Sequence, residues 1–342
     1  MIQSLRRTLA LILVGCWSFL SLSHFGLAQG VNKQDVSFTT ADGVKLMGTY
    51  YPGNKGNNSP TALILHEWGK DRNKGDWGGL AEQLQKSGFA VLTFDFRGHG
   101  QSTEVSDKQT FWSYPTNRNY IRAGKDLGSF SYKDISNLVY TPMLINDIAA
   151  ARRFLDLKND ANDCNVSNLF IMGAKEGAGL GMAWVAMEWK RNISLVPGQP
   201  QFAGQDIAGC VWLSIDRAPN RVTLPLKNLV LAAPVLREKT PMLFLYGEQE
   251  TSKGDSAIAY DIMKTTGKAA DLNKQTFLRA VPKAKLSGVG LLGQQAFGTE
   301  KTIDDYVTAL VQVRGGSVWF NRETTKFRVE MLPLRAYGFS IQ

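Results

Sequence analysis

Histidine and cysteine are scarce in this chain. Among its 342 residues there are three histidines and three cysteines. His24 and Cys16 fall in the first 28 residues, which leaves four such residues for the rest of the chain: His66, His99, Cys164 and Cys210. Neither of these histidines stands at a metal-ligand spacing from a cysteine. We therefore expect neither a metal nor a cofactor.

The remaining cysteines allow two interpretations. An oxidising compartment would permit a disulfide between Cys164 and Cys210. Two buried free thiols are equally compatible with the sequence. Both alternatives stay open at this stage.

Clusters of basic residues are also missing. The chain has 39 Lys and Arg against 30 Asp and Glu, a net charge of +9, and without residues 1–28 the balance is 37 to 30, or +7. This charge is spread along the chain and is not interleaved with aromatic residues. Nucleic acid is therefore not expected as a partner.

The first 28 residues have the order of a secretory signal. Arg6 and Arg7 precede an apolar run from Leu9 to about Leu22, and small residues follow up to Ala28. We predict a signal peptide over residues 1–28 and an exported protein that is periplasmic, secreted or associated with the envelope.

Two other interpretations of this segment are less favoured. A membrane anchor is disfavoured because the run is short of the roughly 20 apolar residues that a spanning helix needs, so we expect no transmembrane span after signal removal. A lipoprotein site at Cys16 is the third interpretation, but Trp17 and more apolar residues follow it at once.

Strand and helix patterns alternate over the next 250 residues. Residues 35–52 predict a hairpin around Asp42-Gly43, and short apolar runs predict buried strands in the segments 61–69, 89–102, 166–173, 207–215 and 241–248. Helical spacing falls between them, at about 78–86, 142–158, 178–192 and 302–316. This order predicts an α/β fold with a mostly parallel sheet, helices on both faces and a binding crevice at the carboxyl ends of the strands.

We place the main domain at residues 29–318. Its segment of about 103–141 lacks a clear period and could cap the crevice; residues 216–240 are either a second covering segment or a surface loop. Residues 319–342 form a C-terminal tail that is predicted to pack back on the domain. No internal repeat is present.

Four motifs in order carry a resemblance to a known family: "LHEWG" at 65–69, "DFRGHGQS" at 95–102, "GAKEG" at 173–177 and "YGEQE" at 246–250. Together they resemble the α/β-hydrolase fold, close to its dienelactone-hydrolase and serine-aminopeptidase-like branches, over roughly residues 35–315. The resemblance makes "GAKEG" the nucleophile elbow and "LHEWG" the oxyanion loop.

The resemblance also locates the catalytic triad, which has lost two members. Lys175 stands at the nucleophile position, Glu250 at the acid position and Val289, in "KLSGVGLLG", at the histidine position. No histidine follows His99, which the resemblance makes structural. His66 is expected to order the oxyanion loop, with a role as catalytic base as the less favoured alternative. Ordinary Ser-His-acid hydrolysis is therefore excluded.

Lys175 admits several chemistries. We predict that its ammonium pairs with Glu250 or Glu176, since a cation at a helix N-terminus is otherwise disfavoured. A neutral, nucleophilic lysine is the alternative. A third route would activate a water with Glu67, Glu176 or Glu250.

The favoured function is a pseudoenzyme that binds a small ligand or a protein partner in the crevice, through His66, Glu67, Trp68 and Glu176. The alternative is an active hydrolase of esters or amides whose site is rebuilt around Lys175, Glu250 or both.

Overall fold

One eight-stranded sheet organises the part of the chain that the structure describes. The computed structural model describes residues 32–121, 128–135, 140–192, 201–251, 253–265, 275–314 and 317–324. The predicted signal peptide lies outside these residues, as do parts of the 103–141 segment and most of the tail.

The strands are β1 Gln34–Thr39, β2 Lys45–Tyr51, β3 Pro60–Leu65, β4 Ala90–Phe94, β5 Asn165–Ala174, β6 Ile207–Leu213, β7 Met242–Gly247 and β8 Thr276–Val281. Their order in the sheet is β1-β2-β4-β3-β5-β6-β7-β8. The first two strands form the predicted hairpin, β2 pairs antiparallel with β4, and all later pairs are parallel. The mostly parallel sheet is confirmed.

The helices among the described residues are α1 Trp77–Lys86, α2 Lys108–Ser113, α3 Pro115–Tyr120, α4 Tyr140–Asp160, α5 Lys175–Glu188, α6 Leu226–Leu231, α7 Val235–Lys239, α8 Lys253–Met263 and α9 Thr299–Arg314. None of these helices combines the length and the apolar character needed to cross a bilayer.

Two apolar clusters cover the two faces of the sheet. Along β3, Leu63 and Leu65 belong to the cluster that contains α4 and α5, while Ala62 and Ile64 belong to the cluster that contains α1 and α9. Successive side chains of a strand point to opposite faces, so a strand buried on both faces must be apolar throughout. This explains the continuous apolar runs of the sequence.

The 103–141 segment packs on the β1–β2 turn. Val105 forms a β-bridge with Val44, and Phe111 and Phe130 are buried. The ring of Tyr132 reaches further, to the loop after β3, where it meets Trp68 edge-on. A cap over the crevice stays a prediction, since residues 122–127 and 136–139 lie outside the described part.

The 216–240 segment forms α6 and α7. Leu226, Leu229 and Val230 of α6 and Leu236 of α7 are buried in the apolar cluster of α4 and α5. This segment therefore contributes to the core. The sequence analysis predicted either a second covering segment or a surface loop, and neither prediction included a role in the core.

The start of the tail packs on the domain, as predicted. Trp319 Nε1 donates to the carbonyl oxygen of Asn159 over 3.1 Å, and Arg322 Nη1 lies 2.6 Å from Asp206 Oδ2. These contacts fix residues 317–324 against the end of α4 and the segment before β6.

Cys164 and Cys210 are free thiols, and both are buried. The disulfide alternative is therefore wrong. Cys164 directly precedes β5, and Cys210 lies within β6. Burial raises the pKa of Cys164 to about 11 and that of Cys210 above its usual value. Both thiols are thus poorly reactive at neutral pH.

Candidate functional site

The turn between β5 and α5 has the geometry of a nucleophile elbow. Lys175 has φ = +48°, a left-handed conformation that is uncommon for residues other than glycine. The flanking glycines permit close approach: a Cβ on Gly177 would lie 2.3 Å from the carbonyl oxygen of His66, and one on Gly173 would lie 2.9 Å from the nitrogen of Ala178. The frame of the motif is therefore intact around its lysine.

The loop after β3 and the start of α5 lie where hydrolases of this fold have the backbone donors of their oxyanion hole. In hydrolases of this fold, one donor is the N–H of the residue after the nucleophile and the other comes from the loop after β3. Here these positions are Glu176 and the loop that contains Trp68. The N–H of Trp68 donates to Glu176 Oε2 over 3.2 Å. The backbone N–H of Glu176 lies close enough to the same carboxylate to lower its pKa. The Glu176 carboxylate thus occupies the Trp68 donor and lies beside the other.

The surroundings of Glu176 favour its protonated form. Burial raises the pKa of Glu176, and the negative charges of Asp216 and Glu67 raise it further, while the two backbone N–H groups act in the opposite direction. The net direction is upward. A second anion would meet this same unfavourable field, so the crevice disfavours an anionic group beside Glu176.

Glu250 lies where the acid was predicted, after β7, and is buried with 4% of its surface exposed. Its Oε2 accepts a hydrogen bond from Ser214 Oγ over 2.5 Å and another from the N–H of Gly247 over 2.9 Å. Ser214 follows β6 and has φ = +46°. The acid position is thus held by its own turn and by the end of the neighbouring strand.

Val289 lies in a short 3-10 helix, Gly288–Leu291, and is buried. Its side chain packs on the loop before α1: a Cβ on Gly75 would be 2.4 Å from Val289 Cγ2. Its N–H donates to Glu67 Oε1 over 2.6 Å. The histidine position is therefore filled by an apolar side chain whose backbone is joined to the oxyanion loop.

Lys175 and Glu67 meet at Gly288. A Cβ added to Gly288, which has φ = +58°, would lie 2.0 Å from Glu67 Oε1 and 2.8 Å from Lys175 Cγ. The stem of Lys175 thus runs beside the Glu67 carboxylate, whose Oε2 is 2.6 Å from Lys70 Nζ. The predicted ion pair of Lys175 with Glu250 or Glu176 stays a prediction.

His66 is built into the scaffold. The N–H of Phe96 donates to its Nε2 over 3.0 Å, and its Nδ1 lies 2.7 Å from the carbonyl oxygen of Glu67. Because an N–H can only donate and a carbonyl can only accept, the proton must be on Nδ1. Both nitrogens are used, and burial lowers the pKa of His66. The catalytic-base alternative for His66 is therefore disfavoured by geometry.

His99 is structural too. Its ring stacks on Tyr132, with centroids 4.6 Å apart, and its Nδ1 lies 3.1 Å from the carbonyl oxygen of Arg97. Burial lowers its pKa to about 3. It is therefore neutral at physiological pH. Its ring packs edge-on against the ring of Trp68, with the two ring centroids 5.5 Å apart.

Two site residues were missed by the sequence analysis. Ser214 comes directly after the predicted strand 207–215, so its place at a carboxyl strand end was a usable signal. Asp216, two residues later, donates its backbone N–H to the carbonyl oxygen of Lys175 over 3.0 Å. Within the described ranges, no group of three His, Cys, Asp or Glu side chains could hold a metal ion.

Comparison with solved structures identifies the fold. The chain is similar to the α/β hydrolase GrgF from Penicillium (12% identity, 82% of this chain and 100% of that one, TM-score 0.56) and to an esterase from Pyrobaculum calidifontis (11% identity, 82% and 85%, TM-score 0.52). The esterase Pf2001 from Pyrococcus furiosus is also similar (17% identity, 82% and 91%, TM-score 0.50). The chain has the α/β-hydrolase fold.

Sequence comparisons reach less far. The chain matches no protein-family model. It is 37% identical over 67 residues to an uncharacterized protein of Mycobacterium tuberculosis, and this match covers 20% of the chain and 23% of that protein. The chain thus spans less than a quarter of the curated relatives it matches, and the branch of the fold stays a prediction.

Proposed function

We propose that this protein is an exported, non-hydrolytic member of the α/β-hydrolase fold that binds a small ligand or a protein partner in the crevice at the carboxyl ends of the strands. One observation carries the proposal. The carboxylate of Glu176 accepts the N–H of Trp68 and lies beside its own N–H, at the place where a hydrolase stabilises the oxyanion of its intermediate.

The chemistry of acyl transfer supports this proposal. The developing oxyanion needs donors that are empty in the ground state. At a helix N-terminus a carboxylate is bound more strongly than a neutral carbonyl oxygen, because its full negative charge interacts with the N–H groups and the helix dipole. A substrate carbonyl would therefore have to displace the Glu176 side chain from the Trp68 N–H, which costs free energy before any bond is formed.

The triad positions support the proposal independently. Lys175 has no hydroxyl group, and the backbone contacts of His66 leave neither of its nitrogens for proton transfer. Val289 cannot take up a proton. Covalent catalysis by serine needs the nucleophile, its base and the oxyanion donors together, and each of the three is missing or occupied.

The export part of the proposal has a separate support. It is the order of basic, apolar and small residues in the first 28 positions. The N-terminal residue of the protein purified from its natural host tests it: cleavage after Ala28 is expected, and an intact Met1 would contradict export by this signal.

The hydrolysis test uses a panel of short and long acyl esters, thioesters and amides with the protein from Gln29. Wild type is compared with Lys175→Ala and Glu250→Ala, and with Lys86→Ala at the end of α1 as a matched control that removes one lysine far from the crevice. We expect no turnover that depends on Lys175 or Glu250.

The alternative function makes the opposite prediction. A rebuilt hydrolase would show turnover in wild type and in Lys86→Ala that is lost in Lys175→Ala or Glu250→Ala. Circular dichroism and cooperative unfolding of each variant must show that loss of turnover is not loss of fold.

A further inference from the structure

A pocket lies at the edge of the sheet, between the ends of β7 and β8 and the start of α9. Its volume is 110 Å³, and its walls include Leu245, Arg279, Val281, Phe297, Thr299 and Thr302. About 10–15 Å³ of such space is enough for one water, so the pocket has room for several waters or for a compact ligand of a few heavy atoms. The predicted crevice residues, namely His66, Glu67, Trp68, Lys175, Glu176 and Glu250, do not line this pocket.

Thr299 gives this pocket an unsatisfied donor. Only 1% of its surface is exposed, and its Oγ1 has no hydrogen-bond partner among the described residues. Buried hydroxyl groups nearly always have a partner. A ligand in the pocket would supply one after a rotation of the Thr299 side chain, since the hydroxyl is buried in the present arrangement. Thr302, one turn later, differs because its Oγ1 donates to the carbonyl oxygen of Gly298 over 3.0 Å.

Arg279 provides the positive charge. It stands opposite Leu245 in the β7–β8 pairing, and its guanidinium carbon lies 5.5 Å from the ring centre of Phe277. It forms no ion pair with any residue that the structure describes. A guanidinium group presents several N–H donors in one plane, which match the oxygens of a carboxylate or a phosphate.

The start of α9 adds a third favourable feature. This helix has 16 residues and begins at Thr299. The first N–H groups of a helix lack partners within it and favour negative charge. The acidic residue of this turn, Glu300, directs its carboxylate to the N–H of Gly293 in the preceding loop. The Glu300 carboxylate is therefore bound to the preceding loop and does not line the pocket.

We propose that this pocket binds a small oxoanion, a carboxylate or a phosphate group, held by the Arg279 guanidinium, the Thr299 hydroxyl and the N-terminal turn of α9. The apolar walls, Leu245, Val281 and Phe297, limit the ligand to a compact group. This binding site is separate from the crevice and does not depend on whether the protein hydrolyses a substrate.

Thermal unfolding with added anions tests the proposal. Potassium phosphate or potassium acetate replaces potassium chloride at constant ionic strength, so that general screening is unchanged. A ligand that binds only the folded protein raises the unfolding midpoint with concentration. Wild type is expected to respond to one anion or both, with saturation, and the anion that acts identifies the ligand as phosphate or carboxylate.

Three variants make this test specific. Arg279→Gln removes the charge from an exposed side chain, and Thr299→Val removes the hydroxyl at equal size; each is expected to weaken binding by roughly tenfold or more. Arg217→Gln removes an arginine that pairs with Asp255 elsewhere and should respond like wild type. No saturable response in wild type, or an equal response in all variants, would overturn the proposal.

Discussion

Glu176 Oε2 lies 3.2 Å from the backbone nitrogen of Trp68 and accepts its N–H. The two residues are 108 positions apart in the chain. Their hydrogen bond joins the first turn of α5 to the loop after β3, the two elements that build the oxyanion hole of this fold. The protein therefore places its own carboxyl group where a hydrolase would stabilise the oxyanion of its substrate.

A lower pH should destabilise the protein through His99. The pKa of His99 is about 3 in the folded protein and about 6.5 in an unfolded chain. Between these values the unfolded state takes up a proton that the folded state does not, so the stability present above pH 6.5 is lost as the pH falls. Urea unfolding at pH 7 and pH 4.5 measures the loss.

The control for this pH effect is His99→Gln, in which the loss between the two pH values should be smaller. Glu176, whose pKa is raised, acts in the opposite direction, because an acid with a raised pKa costs stability as the pH rises. Glu176 is present in both wild type and His99→Gln, so its contribution to the pH dependence cancels when the two proteins are compared. An equal loss in wild type and His99→Gln would contradict the account.

Arg97 should be among the residues most important for stability. Its fully buried guanidinium lies 2.7 Å from Asp42 Oδ2 and 2.6 Å from Asp147 Oδ1. Arg97→Met would leave two buried carboxylates without their cation, which should cost about 3–5 kcal/mol in the free energy of unfolding. Chemical unfolding of wild type and Arg97→Met measures this difference in the free energy of unfolding.

The matched variant for Arg97 is Lys45→Met. The Lys45 ammonium pairs with Glu104 at 3.0 Å, but the two side chains are 37% and 53% exposed. Exposed pairs contribute less than about 1 kcal/mol. Similar costs for the two variants would show that the buried network is not formed as described.

Gly288→Ala should disturb the site directly. Its Cβ would lie 2.0 Å from Glu67 Oε1 in a backbone with φ = +58°, and overpacking and a left-handed conformation each cost roughly 1–3 kcal/mol. Gly254→Ala is the control, since a Cβ there meets nothing within 4 Å. Thermal unfolding should show a lower midpoint for Gly288→Ala alone; an unchanged midpoint would contradict the contact between Gly288 and Glu67.

Much of the fold could be predicted from the sequence. All six residues of β3 are buried, and a strand buried on both faces reads as an uninterrupted apolar run. The edge strand β8 was not predicted. Its residues Arg279 and Ala280 are exposed and only Val281 is fully buried, so its pattern lacks the apolar run of a central strand.

The site was predictable in position but not in detail. The glycine frame located Lys175, and the family resemblance located Val289 in the segment KLSGVGLLG. The bond from the Val289 N–H to Glu67, across 222 positions, depends on how two loops pack. The direction of the Glu176 side chain depends on its rotamer. Neither has a signature in the sequence.

The cysteines give a prediction that also reports on export. Cys164 and Cys210 are buried and unbridged, so a thiol reagent should not react with the native protein. After unfolding without reductant, two thiols per chain should react if the first 28 residues have been removed, and three if Cys16 is retained. A reaction of two fewer thiols, none without Cys16 or one with it, would show a disulfide and contradict the structure.

The measurement that tests the central claim most directly is a pH titration of the Trp68 and Glu176 amide resonances by NMR, in wild type and in Glu176→Gln. We predict that both amides titrate together, with one midpoint above the usual glutamate range, and that this titration disappears in the variant. Amides that do not respond to pH, or that respond equally in Glu176→Gln, would show that the oxyanion donors are open and contradict the account.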